Sequence, residues 1–158
     1  MKTNYLFPNQ FKIIGYAMLI PSAIIGVTIL IKNYEPELFN LNVPAIFIDE
    51  VFGKQELLGM VNTNILNEII GVLVILSLLF VAFSKEKQED EYISKIRLES
   101  LVWAVYVNYA VLLLAILFVF GISFLWIMIF NMFTILLFFI IRFNWQIFNL
   151  KKSMQYDQ

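Results

Sequence analysis

An ionisable side chain inside an apolar run is a natural candidate for chemistry, and Glu68 in "NTNILNEIIGVL" is one. Within a membrane-spanning helix a carboxylate is by default a proton-transfer or ion-binding group. Its position offers a plainer role. An Asn or Thr just before it can cap a helix, and Glu68 then falls in the first turn, where the positive end of the helix dipole favours a carboxylate. Asn108 and Asn131 are the most deeply embedded amides, thirteen residues before Gly121 and ten after it. At about 1.5 Å per residue their depths differ by only about 4.5 Å, so a turn at Gly121 lets the two side chains hydrogen-bond. With Thr134 they form either an inter-helix clamp or a thin polar lining for a solute path.

Residues 84–100, "SKEKQEDEYISKIRLES", place four basic and five acidic side chains in seventeen positions of a chain that is 61% hydrophobic. The paired carboxylates Asp90 and Glu91 point to different helix faces and make no acid/base dyad. Read as helix from Glu89 onward, the stretch has acids at its N-terminus and Glu91 four before Lys95, both stabilising. A helix over 89–120 is about 48 Å long, so about 18 Å stands out beyond a hydrocarbon core of about 30 Å. Asp90 and Arg97 fall near one face with Ser94 between them. That face suits a partner, either the end of the second helix or another protein. Ser100, Ala104 and Asn108 continue it as a small-residue stripe suited to close helix packing.

Other chemistries lack their residues. With no cysteine and no histidine, thiolate and imidazole metal sites, disulfides and imidazole acid/base catalysis are excluded. No glycine-rich phosphate loop or Gly-x-Ser-x-Gly turn is present. The reading is a non-enzyme with no catalytic, cofactor or metal residues.

The elements that must position these residues are four apolar runs, at 13–31, 65–83, 101–120 and 122–141. Each is about the 20 residues a bilayer crossing needs. A mean hydropathy of +0.81 and sixteen Phe would leave a water-soluble fold with large bare apolar patches, so the bilayer is the expected solvent. The last two runs are nearly continuous, and a single helix over 101–141 would be about 60 Å long, twice a bilayer. The chain must therefore turn at "FGIS", where Phe118, Phe120, Phe124 and Trp126 suit an interfacial belt. The expected fold is an all-α integral membrane protein of one domain, with four transmembrane helices and a tight hairpin between the third and fourth. The first run is too long for a secretory signal and reads as an uncleaved anchor. Pro21 should kink it, and Ser22 with Gly26 permits close helix approach.

Orientation follows from the Lys and Arg distribution. Lys2 and Lys12, then Lys85, Lys87, Lys95 and Arg97, then Arg142, Lys151 and Lys152 sum to nine, against Lys32 and Lys54 in the outer segment 32–64. Both termini, the 84–100 connector and the 142–158 tail are expected on the cytoplasmic side. The outer segment carries Glu35, Glu37, Asp49, Glu50 and Glu56; its apolar pieces "VPAIFI" and "LLGMV" are read as an interfacial stretch across the helix ends in preference to short strands. The tail reads as an extension of the fourth helix anchored at the anionic surface, with too few basic residues for nucleic acid.

The stretch "FVAFSKEKQEDEYISKIRLESLVWAVYVNYAVLL" resembles a group of small four-helix membrane proteins of Bacteroidota, in which a helix ends in AFSKEK, an EDE cluster follows and IRLxS leads into the next helix. The matching residues are Ala82 to Lys87, Glu89 to Glu91 and Ile96 to Ser100, with "NILNE" at Asn64 to Glu68 also similar. The resemblance implies a multi-pass protein of a bacterial inner membrane and brings no activity or catalytic residue with it. Two functional expectations stand: a scaffold or regulatory protein meeting a cytoplasmic partner or a second copy through the connector, and, as the alternative, a small oligomeric transporter or channel subunit.

Overall fold

The computed structural model describes residues 5–32, 36–46 and 58–156. Lys2, Glu35, Asp49, Glu50, Lys54 and Glu56, with part of both apolar pieces of the outer segment, lie outside the described residues. The elements are α1 (Gln10–Lys32), a short 3-10 turn (Glu37–Phe39), β1 (Asn40–Ala45), β2 (Gly59–Asn64), α2 (Leu66–Ala82), α3 (Glu91–Phe118) and α4 (Ile122–Tyr156). Three of the four helices, α1, α3 and α4, are long and apolar enough to cross a membrane. At most 17% of the apolar stretch of each is buried within the protein, so most of their apolar surface needs covering by a solvent other than water. α2 is shorter, at 17 residues.

The chain forms two compact units, Ile20–Val74 and the combination of Met1–Leu19 with Ile75–Gln158. In the first, β1 and β2 pair antiparallel from Asn40↔Asn64 to Ala45↔Gly59, so the described parts of the outer segment take the alternative form, short strands. The alternation Asn40, Leu41, Asn42, Val43 gives the ribbon one polar face. There Asn62 donates to Asn42 and Asn64 to Asn40, both at 2.9 Å. Pro44, which has no N–H to give, shares that parity, where backbone groups can face away from the partner strand and side chains approach closely. Asn64 also accepts from the Leu66 N–H at 3.2 Å. It thus caps α2 and leaves Glu68 exposed in the helix's first turn. α1 continues through Pro21. Ser22 is buried, and a side chain at Gly26 would meet Ile70.

In the second unit, α3 and α4 are joined by three residues. Val119 ends α3 in extended conformation, and Gly121 reverses the chain at φ +70°, a region open to glycine at little cost. The helices then pair in descending register: Asn108 with Asn131, Trp103 with Phe138, Ser100 with Gln146. The residues α3 buries are Ile93, Ile96, Ser100, Ala104, Asn108 and Ala115, so the small-residue stripe read from sequence is a packed seam. α1 comes close to α2 at Gly15, where an added Cβ would lie 2.8 Å from Val81 Cγ2 and 2.9 Å from its backbone nitrogen. Phe83, Phe139 and Phe143 stack in series, and Phe7, Phe11 and Phe80 form a second aromatic group.

Candidate functional site

The polar side chains converge at the end of this unit opposite Gly121, where the start of α1, the 84–90 connector and the far part of α4 meet. Phe7 opens the arrangement. Its N–H donates to the Phe83 carbonyl and its carbonyl accepts from the Lys85 N–H, both at 2.9 Å, which ties the chain before α1 alongside the connector. Asn9 Nδ2 adds a 2.7 Å bond to the Lys85 carbonyl. Lys12, on the first turn of α1, forms an ion pair with Glu86 and donates to Asn144 Oδ1 at 3.3 Å. Asn144 in turn donates to the Tyr16 hydroxyl at 2.9 Å. Three segments distant in sequence are thus joined through one lysine and one amide.

Arg97 makes the second half. One terminal nitrogen donates to both oxygens of Glu89, and the other to the carbonyl oxygens of Ala82 and Ser84, at the open end of α2. Glu89 Oε2 also accepts from the Glu86 N–H at 2.8 Å, so its carboxylate closes the connector into a tight loop. The Arg97 guanidinium lies 4.6 Å from the centre of the Phe143 ring and the Lys12 ammonium 5.9 Å from it; both cations therefore share one aromatic face system as well as their carboxylates. All four ionised side chains are at most 18% exposed, where removing one member of a pair is far more costly than at a surface.

Asp90 does something other than face Arg97. Its side chain accepts from the Ile93 N–H at 2.7 Å and caps α3, so the helix starts at Glu91, not at Glu89. At 28 residues it is about 42 Å long, and its excess over the hydrocarbon core falls to about 12 Å. Arg97 has turned to the end of α2, and Ser94, half-buried, donates its N–H to the Asp90 carbonyl at 3.1 Å. Asn108 and Asn131 lie together, each amide donating to the other's oxygen at 3.4 and 3.3 Å. Thr134 instead bonds back to the Phe130 carbonyl of its own helix at 2.8 Å. Glu68 lies in the other unit.

Sequence reasoning passed over Lys12, Tyr16, Glu86, Glu89, Asn144 and Gln146 as site residues. Only Glu89 carried a local signal, an acid eight residues before an arginine at a helix start; the others are brought together by tertiary packing. Among the described residues no three acidic side chains converge to hold a metal ion. The arrangement can fix the connector and present its outer side chains. Comparison of the chain with protein-family models, curated proteins and solved structures finds no match.

Proposed function

We propose that this chain is a multi-pass protein of a bacterial inner membrane that acts as a scaffold or regulatory subunit, meeting a cytoplasmic partner through residues 84–100. In this reading all four helices cross the bilayer, α3 and α4 as a hairpin, and both termini are cytoplasmic. α2, at about 25 Å, is near the short limit for a crossing, and Ile65 and Phe83 extend its apolar length at either end. The clustering of Lys12, Lys85, Arg97 and Arg142 at one end of a unit supports a single basic side, as the positive-inside rule requires. The likeness of 82–100 to the Bacteroidota group supports the same location.

The observation that carries the functional reading is the fixation of the connector. Two enclosed ion pairs hold it to α1, α2 and α3, while Lys87, Gln88, Tyr92, Lys95, Leu98 and Glu99 remain exposed on that fixed backbone. A surface already ordered costs a partner little conformational entropy on binding. The transporter reading has less to stand on, because Asn108, Asn131 and Thr134 direct their hydrogen bonds to each other or to their own helix.

A photo-cross-linking residue at Tyr92, in the full chain in its native membrane, tests this. A discrete protein adduct, lost on Lys95→Glu with insertion unchanged, is the expected result. Adducts with lipid alone, together with solute flux from liposomes holding the purified chain, would reverse the preference in favour of the transporter.

A further inference from the structure

The chain has two arginines, and they are very differently supplied. Arg97 holds a carboxylate and two carbonyls. Arg142 has its guanidinium carbon 4.7 Å from the centre of the Trp103 ring. The Nε of both arginines is buried without an acceptor; the difference lies at the terminal nitrogens, which in Arg97 reach Glu89, Ala82 and Ser84, while neither ion pair at the connector involves Arg142. A guanidinium cannot shed its proton to relieve this. Glu99, four residues before Trp103 and so on the same side of α3, is the acid placed to help, yet it is exposed and neither ion pair among the described residues involves it.

The depth of Arg142 indicates which anion completes it. From Ile122 to Arg142 is twenty helical steps (142 − 122), about 30 Å, which equals the hydrocarbon thickness. With Gly121 at one interface, Arg142 reaches the phosphate layer of the other, on the connector's side. Trp103 is 38% exposed, and Val102 beside it in sequence, with Ile141 and Trp145 within a turn of Arg142, are exposed apolar side chains that acyl chains would cover. The contact with the indole fixes where the guanidinium lies, and the terminal N–H groups of a guanidinium form a fork that matches two phosphate oxygens.

We infer that Arg142 and Trp103 form a binding site for a phosphate group, supplied by the headgroup of an anionic phospholipid in the connector-side leaflet. This rests on the membrane-spanning reading above. Free phosphate would satisfy the fork but would gain nothing from the apolar surround.

The test is native mass spectrometry of the full chain in detergent, titrated with phosphatidylglycerol or with phosphatidylcholine. The wild-type chain is expected to retain phosphatidylglycerol preferentially. Arg142→Gln should weaken that retention about tenfold, the worth of a charge-assisted hydrogen bond. Arg142→Lys, which keeps the charge and tolerates the fold, should fall between, and Glu99→Gln should not weaken it. Retention that persists in millimolar inorganic phosphate assigns the site to lipid; displacement by phosphate assigns the same fork to the free anion. Equal retention by wild type, Arg142→Gln and Arg142→Lys overturns the proposal. Carbonate washing of membranes separates the two levels: a chain that is washed off defeats the membrane reading itself, whereas a chain that resists washing while its Arg142 variants bind lipid unchanged defeats only this site.

Discussion

Arg97 lies across the C-terminal end of α2 and holds Glu89 there, with both carboxylate oxygens at 3.0 to 3.1 Å and the Ala82 and Ser84 carbonyls at 3.2 Å. A helix end carries unpaired carbonyls and the negative end of the dipole, so one guanidinium answers both needs and brings a counter-ion with it. Arg97→Gln would strand an enclosed carboxylate, at a cost of about 3–5 kcal/mol. The expected outcome is a lower unfolding temperature in detergent and new protease cleavage within 84–90. Arg97→Lys should recover only part of this, because a point charge cannot reach four acceptor oxygens as a guanidinium fork does.

Asp90 and Arg97 serve different partners, and this decides the result of exchanging them. If they formed a pair, Asp90→Arg with Arg97→Asp would restore what each single change removes. Here Asp90→Arg removes the α3 cap, worth about 1 kcal/mol, and Arg97→Asp sets a second acid against Glu89. Thermal unfolding of the two singles and the double should show losses that add, with no rescue.

The amide pair Asn108 and Asn131 predicts a clamp. Each single change to Leu should lower stability by about 0.6 kcal/mol and by no more than about 1.7, the average and the maximum for interhelical polar contacts in a membrane protein. The double change should cost less than the sum of the singles, because it leaves no amide without its partner. Solute flux through liposomes should be unaltered in all three.

Gly15 marks a backbone contact as well as a side-chain one. A methyl group there would lie 2.9 Å from the Val81 nitrogen as well as 2.8 Å from its side chain, and backbone cannot step aside as a rotamer can. Gly15→Ala is expected to destabilise by about 1–3 kcal/mol, as overpacking does. Val81→Ala should rescue it only in part, which chemical denaturation of the three variants would show.

Three of the apolar runs were legible as long helices because a stretch long enough for a bilayer needs no partner to identify it, and the break between α3 and α4 was legible from Gly121, the small residue that takes φ +70°. The seam of Ser100, Ala104 and Asn108 was legible from its four-residue spacing. The start of α3 was misplaced by two residues: acids at 89, 90 and 91 all suit a helix N-terminus locally, and only tertiary structure assigns Asp90 to the cap and Glu89 to Arg97. The β ribbon carried a period-two signal, alternating Asn with Leu and Val, that the apolar pieces beside it obscured. Lys12 with Glu86, and Tyr16 with Asn144, are separated by 74 and 128 positions. No spacing rule reaches across such intervals.

The four-crossing topology is the central claim, and α2, the shortest helix, is its weakest span. Since the chain has no cysteine, single cysteines at the exposed positions Leu38, Lys87, Phe120 and Ser153 can report sidedness without background. A membrane-impermeant maleimide added to intact spheroplasts should label Leu38→Cys and Phe120→Cys, and should reach Lys87→Cys and Ser153→Cys only after the membrane is permeabilised. Labelling of Leu38→Cys and Lys87→Cys from the same side would mean that α2 does not cross, and would contradict the account.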